Sequence, residues 1–344
     1  MTGIRVGMRL GELSEGTLRF YRQIGVEAVE LPQRYSTDPP ARPVAPLLPP
    51  AEQQRAGAQP PPYKAEDLRR MRERAEEFGL EAIQIMLPVG ESLSLGRPGR
   101  EQDMESVCRS IEAAGKAGIG AMRYTFRSLR PNPGYYLQEG AGRGGATLRA
   151  FDYDRVRDHP PLDDIGRQTK EQMWERLTWF LERAVPAAEA TGVRLAVHPS
   201  DPPPPAYRGV EQPLATLADM KRLIETVDSP SNCIIGHPGV FTEMGEDPVA
   251  AIRYFGERKR IGGVHFRSVS VQVPYEKYIE TFHDEGDTDL VGAMRAFHEV
   301  GFSGLLEPDH TAGMSNDSVD HKLAWAQAVG YVLGLRNATA GASV

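Results

Sequence analysis

Four short runs in the second half of the chain each end in a residue type that binds metal ions. Val193-Arg194-Leu195-Ala196-Val197 leads into His198-Pro199-Ser200-Asp201, and Cys233-Ile234-Ile235-Gly236 into His237-Pro238-Gly239. Gly263-Val264 leads into His265-Phe266-Arg267-Ser268, and Leu305-Leu306-Glu307-Pro308 into Asp309-His310. His198, His237, His265 and Asp309 are separated by 39, 28 and 44 residues. Each gap is about one strand-plus-helix unit of a barrel that spends roughly 250 residues on eight units. Three neutral imidazoles and a carboxylate suit a divalent transition ion with room left for water or substrate. One histidine at a strand end is readily explained as a hydrogen-bonded polar residue, but four such positions in succession point to a shared cation. The ligand set admits manganese or zinc.

The elements that must position these residues follow from hydrophobic periodicity. Strands are expected near Ile4–Leu10, Glu27–Leu31, Glu81–Leu87, Gly120–Phe126, Val193–His198, Asn232–His237, Gly262–Phe266 and Ser303–Glu307. Helical patterns run over Glu12–Ile24, Lys64–Phe78, Arg100–Ala117, Gln168–Thr191, Leu214–Val227, Glu246–Glu257, Asp287–Glu299 and Ser318–Arg336. In the second of these, Leu68, Met71 and Ala75 recur at helical spacing among charges. Gly79, Gly192 and Gly301 stand where a helix must stop before the next strand. Eight βα repeats predict a parallel sheet closed as a (β/α)8 TIM barrel, one domain over residues 1–344. A doubly wound open sheet is the competitor, but no Gly-rich phosphate loop follows the first strand. Two stretches break the rhythm and are expected as loop insertions after strands 2 and 4. Residues 38–62 hold nine prolines, and residues 127–167 hold the run Gly140-Ala141-Gly142-Arg143-Gly144-Gly145. Both would lie on the face that carries barrel active sites, as lids or as tolerated surface loops.

Composition narrows the partners. The net charge of −7 over 344 residues offers no broad basic face for nucleic acid, and no apolar run is long enough to span a membrane. Cys108 and Cys233 are the two cysteines, too few for a disulfide framework. The N-terminus lacks the layout of a secretory signal. A cytoplasmic protein acting on a small molecule is expected, as a homo-oligomer.

The chain resembles the mannonate dehydratases, metal-dependent barrel enzymes of the xylose-isomerase-like kind. The motifs that carry the resemblance are Gly192-Val193-Arg194-Leu195-Ala196-Val197-His198-Pro199, His265-Phe266-Arg267-Ser268, His283-Asp284-Glu285-Gly286-Asp287-Thr288-Asp289 and Pro308-Asp309-His310. It is nearly continuous from about Leu177 onward; in the N-terminal half it rests on architecture and on Tyr124-Thr125-Phe126. The resemblance implies a lyase that removes water from a sugar acid to give a 2-keto-3-deoxy acid. Manganese would be the cofactor, with Mg2+, Zn2+ and Co2+ as alternatives, held by His198, His237, His265 and Asp309. Cysteine is usual in the family where His237 stands. The family's catalytic histidine falls on His310, its partner tyrosine on Ala326, and its histidine pair after the second strand on Leu31-Pro32-Gln33-Arg34-Tyr35.

Further roles follow from chemistry and from these motifs. Arg267 could grip a substrate carboxylate bidentately or bridge to a local acid. Asp201 could hydrogen-bond a substrate hydroxyl or His198, or cap its own turn. By the matching motif, His283 and Asp287 are candidates for contacts to substrate or to the ligand residues from behind, with Asp287 alternatively capping the next helix. Tyr124 either lines the pocket or packs at the barrel rim. His159, His298, His321 and both cysteines carry no supporting constellation. Two rivals stay open: a metal-dependent sugar isomerase or epimerase using Glu307, which shares a strand face with Asp309, and an inactive sugar-acid-binding relative lacking the tyrosine.

Overall fold

The computed structural model describes residues 3–38, 58–129 and 134–341. The proline-rich stretch expected as a loop at 38–62 lies largely outside them. Strands β1 (Arg5–Arg9), β2 (Ala28–Leu31), β3 (Glu81–Met86) and β4 (Ala121–Tyr124) precede β5 (Tyr135–Gln138) and β6 (Leu148–Asp152). Next come β7 (Arg194–Val197), β8 (Ala206–Tyr207), β9 (Val210–Glu211) and β10 (Asn232–Gly236). The last are β11 (Ile261–Phe266), β12 (Val269–Val273), β13 (Lys277–Glu280) and β14 (Leu305–Pro308). Helices α1 (Glu15–Gln23), α2 (Ala65–Glu76), α3 (Glu91–Leu95), α4 (Arg100–Lys116) and α5 (Lys170–Thr191) occupy the first part. Helices α6 (Leu217–Thr226), α7 (Pro238–Glu243), α8 (Pro248–Glu257), α9 (Leu290–Glu299) and α10 (Lys322–Thr339) occupy the second.

Eight strands close a barrel in the order β1-β14-β11-β10-β7-β4-β3-β2, every neighbouring pair parallel. These are the eight strands that periodicity predicts. Closure removes both sheet edges, and helices cover the outside. Strands β10 and β11 are therefore buried at every residue and read as continuous apolar runs rather than as alternation. Gly79, Gly192 and Gly301 adopt φ of +74°, +69° and +67°, the left-handed turn that ends a helix without a Cβ clash. At the start of α5, Thr169 and Gln172 form a reciprocal capping box that satisfies two amides with no intrahelical partner. Among the described residues no helix is long and apolar enough to cross a membrane.

One expectation needs correction. The segment 127–167 is not simply a loop. It contributes β5 and β6 to an antiparallel sheet ordered β12-β13-β6-β5, whose other two strands follow β11. The glycine-rich run is the connection within the β5–β6 hairpin. Tyr135-Tyr136-Leu137-Gln138 and Leu148-Arg149-Ala150-Phe151-Asp152 pair residue for residue, and β13 then zips onto β6. The strand signal in each piece is only four or five residues long, and each depends on a partner distant in sequence.

Strand alternation fixes which side chains enter the barrel. Ala196, Cys233 and Ile235 form an apolar cluster of their own, which seats Cys233 as a packing residue. The residues one step further along the same faces are His198 and His237.

Candidate active site

Strands β14, β11, β10 and β7 are consecutive in the barrel, so their C-terminal ends bring Asp309, His265, His237 and His198 together. The three imidazole rings stand mutually tilted, with centroids 5.2, 4.9 and 5.5 Å apart. His198 Nε2 lies 3.1 Å from His265 Nδ1, His237 Nε2 3.3 Å from Asp309 Oδ2, and His265 Nδ1 3.7 Å from Asp309 Oδ1. Four donors about 2.1 Å from one ion would stand roughly 3.0 to 3.4 Å apart for octahedral or tetrahedral angles. The donor set therefore has the dimensions of a coordination shell. Two further observations fit a cation here. The Nε2 atom of His237, which faces the cluster, is buried without a hydrogen-bond partner, a state that costs free energy unless something else engages it. His198 Nδ1 is bonded at 2.8 Å to the Pro199 carbonyl, which puts its proton there and leaves Nε2 as a lone-pair donor.

Electrostatics set the protonation that ligands need. Burial pushes His198 and His265 well below the ordinary imidazole range and lowers His237, so all three are neutral. Burial alone would raise the Asp309 carboxyl. His310 first, and Arg267, outweigh it and hold Asp309 well below the usual carboxylate range.

Outside this shell lies a dense ionic layer. Arg9 donates to Asp309 Oδ1 at 3.0 Å and to Glu307 Oε1 at 2.6 Å. Burial, assisted by Glu30 and Asp309 and opposed by Arg9, pushes the Glu307 carboxyl up to about 7. Glu307 thus faces Arg9 and stands 3.8 Å from His265 Nε2, behind the histidine rather than in front of it. Across the barrel interior, Glu30 takes a bidentate pair from Arg123 at 2.6 and 2.9 Å.

Arg267 is only 1% exposed and is surrounded by acids. Nη2 meets Glu243 Oε1 at 2.5 Å, and Nη1 lies 3.2, 3.1 and 3.3 Å from Asp201, Glu280 and Asp309. Its guanidinium holds the protein's own carboxylates, which corrects its reading as a substrate clamp in favour of the salt-bridge alternative. Asp201 stands closer to the centre than its sequence context suggests: with His237 and Asp309 it forms a second group able to hold an ion. Tyr135 donates to Asp201 Oδ1 at 2.7 Å, and Tyr278 lies 3.3 Å from the same oxygen.

The antiparallel sheet builds the wall beside His310. Arg149 Nη1 lies 3.0 and 3.1 Å from the two ring nitrogens of His310, and Glu280 Oε2 is 2.9 Å from Nδ1. Tyr135, Arg149, Tyr278, Glu280 and Glu243 are the site residues that sequence reasoning missed. The first four alternate onto one face of a sheet whose pairing joins residues well over a hundred positions apart, so no spacing announces them. Glu243 lies on α7, a six-residue helix too short to show a period.

Three candidate substrate contacts have other partners within the protein. Tyr124 follows Arg123, which faces the interior, so the tyrosine faces the helices instead; its ring packs 5.4 Å from that of Phe180 on α5 and is fully buried. His283 is buried, with Nε2 bonded at 2.9 Å to the Phe266 carbonyl, so it pins the end of β11 rather than meeting substrate. Asp287 is exposed and accepts from the Val271 amide at 2.7 Å, while the N-cap of α9 is Asp289. On the same face of the barrel, a cavity of about 270 Å³ opens at the ends of β2, β3 and β4, lined by residues that include Gln33, Met86, Val89, Thr125 and Arg127.

Comparison with known proteins places these features in context. The family model described as D-mannonate dehydratase (UxuA) matches residues 154–342. The mannonate dehydratase of Thermotoga maritima is 28% identical over 278 residues, 71% of this chain and 77% of that protein. Mannonate dehydratase 1 of Bacillus licheniformis is 29% identical over 288 residues, 73% of this chain and 77% of the relative. Among solved structures, mannonate dehydratase from Streptococcus suis serotype 2 superposes with a TM-score of 0.79 at 24% identity, covering 98% of this chain and 94% of that one. A D-psicose 3-epimerase from Clostridium cellulolyticum H10 shares the fold at a TM-score of 0.57 and 13% identity, covering 98% and 99%.

Proposed function

This chain belongs to the D-mannonate dehydratase family, and on that premise we propose that it is a divalent-metal-dependent hydro-lyase of a mannonate-like sugar acid, giving a 2-keto-3-deoxy acid. His198, His237, His265 and Asp309 are its metal ligands in this reading, with Asp201 beside them. The observation that carries it is the meeting of four ligand-capable side chains from four adjacent strands, with Nε2 of His237 buried among them without a hydrogen-bond partner. Manganese is the favoured ion by resemblance to the family; the donors also admit Mg2+, Zn2+ or Co2+. A bound divalent ion would supply Lewis acidity, spreading the charge that develops beside the substrate carboxylate and easing departure of hydroxide.

The protein's own residues do the rest. His310 is the proton carrier; its side chain is 20% exposed and so open to an incoming molecule. Charge balance supports an anionic substrate. Arg9, Arg149 and Arg267 face three ionised carboxylates, those of Asp201, Asp309 and Glu280, all held below their ordinary range. Burial pushes the Glu243 carboxyl above that range, against the pull of Arg267. A divalent cation would add two positive charges to this set, which favours a sugar acid over a neutral sugar. A reducing cytoplasm, compatible with two free cysteines, is the proposed compartment.

The test has two parts. His198→Ala and Asp309→Ala should each lose stoichiometric manganese by elemental analysis; full retention in either rejects the ligand set. The wild type, given manganese and a panel of aldonic and uronic acids including mannonate, should release a 2-keto-3-deoxy product lighter than its substrate by one water. A product of unchanged mass would make the enzyme an isomerase instead.

A further inference from the structure

We propose that Glu280, supplied by the antiparallel sheet rather than the barrel, is the positioning residue that fixes the tautomer of His310. The inference rests on the reading of His310 as the proton carrier. It starts from a conflict at one atom. His310 Nδ1 lies 2.9 Å from Glu280 Oε2, an acceptor, and 2.8 and 3.1 Å from two donors, Arg267 Nη1 and Arg149 Nη1, the latter shared with Nε2. A ring nitrogen carries either a proton or a lone pair, so only one contact is a hydrogen bond at a time.

The neighbours decide which. Arg267 Nη1 has carboxylate oxygens of Asp201, Glu280 and Asp309 within 3.3 Å. Among the described residues, Glu280 Oε2 has His310 as its hydrogen-bond donor and no other. Assigning the proton to Nδ1 satisfies the buried carboxylate and leaves Arg267 fully engaged elsewhere; assigning the lone pair there strands Glu280 Oε2 in a buried site. The proton therefore belongs on Nδ1. Nε2 keeps its lone pair, accepts from Arg149 at 3.0 Å, and stands 3.7 Å from Asp309 Oδ1. The basic nitrogen consequently faces the ligand cluster, and the carboxylate sits behind the ring. A carboxylate in that position holds the imidazole in one orientation and stabilises the imidazolium formed when Nε2 takes a proton.

The backbone is consistent with a ring held in place. His310 has φ of +56°, a left-handed conformation that non-glycine residues adopt at a cost and keep when surrounding contacts fix them. Glu280 is the last residue of β13, one step beyond the pairing of Ile279 with Ala150 on β6. That register sets it opposite Arg149, which also contacts the ring. The sheet thus delivers both flanks of His310.

The experiment uses enzyme loaded with diamagnetic Mg2+ and labelled with 15N-histidine, the His310 signals being assigned by their loss in His310→Gln. Long-range 15N–1H spectra of the wild type should show His310 as the Nδ1–H tautomer. In Glu280→Ala, Arg267 can donate to Nδ1, so the Nδ1–H pattern should disappear; kcat should fall about 10- to 100-fold, as for loss of an orienting outer partner, with KM changing less than about threefold. Glu280→Asp should restore the Nδ1–H pattern and most of kcat. An Nε2–H tautomer in the wild type overturns the proposal even if the alanine variant does not fold, and so does a folded Glu280→Ala protein that keeps the wild-type tautomer. A wild type that turns over no sugar acid yet loses Nδ1–H on Glu280→Ala would sink the dehydratase reading and support the pairing; turnover with an Nε2–H His310 would do the reverse.

Discussion

Replacing Arg267 by methionine separates two roles for the most enclosed cation in the molecule. The guanidinium is 1% exposed and touches four acidic side chains and His310. Methionine keeps much of the volume and removes the charge. Taking one partner from a buried ion pair costs about 3 to 5 kcal/mol, because the remaining charges lose their counter-ion without regaining water. For a chain of 344 residues the unfolding entropy is roughly 0.7 kcal/mol per kelvin, so the penalty corresponds to a fall of about 4 to 7 °C in melting temperature. A divalent ion among Asp201, His237 and Asp309 would neutralise part of the exposed negative charge, so the ion stabilises the variant more than the wild type. Melting followed by circular dichroism should therefore show the full drop in EDTA and a smaller one in excess manganese. A variant that melts within 1 °C of wild type in EDTA refutes the argument. If it also shows a KM raised more than tenfold for a sugar acid, the guanidinium grips substrate, as its sequence context first suggests.

Three further outcomes are expected. Tyr124→Phe should stabilise the protein by about 1 kcal/mol and leave kcat/KM within twofold, because its hydroxyl is buried without a partner against α5; a large loss of activity would return the residue to the pocket. Burial pushes the His283 imidazole down to about 4, whereas in the unfolded chain it titrates near 6.5. Above pH 6.5 both states are neutral and the contribution is fully present; between pH 6.5 and 4 only the unfolded chain takes up the proton, so stability falls by at most about 3 kcal/mol across that window. His283→Gln should flatten that part of the urea-midpoint curve, and parallel curves would contradict the assignment. Because thiolate is a softer ligand than imidazole, His237→Cys should raise the zinc-to-manganese ratio after reloading from an equimolar mixture, and an unchanged ratio would remove His237 from the shell.

Much of the architecture is legible along the chain because each barrel unit is local. A strand of four to six residues, an amphipathic helix and a glycine such as Gly192 recur in series, and closure of eight units is set by their number. The ligand positions share this legibility, since His198, His237, His265 and Asp309 each occupy the same place in successive units, and adjacency in sequence order becomes adjacency around the ring. Pairings that cross that order were decided only in three dimensions. Tyr135, Arg149 and Glu280 reach the site through antiparallel strands joined across more than a hundred residues, and neither periodicity nor spacing encodes which pieces will meet. Side-chain direction was also a tertiary matter: Tyr124 and Arg123 are neighbours in sequence, yet the pleat sends one toward α5 and the other to Glu30. Arg267 shows the same division. Its place two residues after His265 marks it for the centre, but whether it would meet a substrate or the protein's own acids depended on the four carboxylates that the folded chain packs around it.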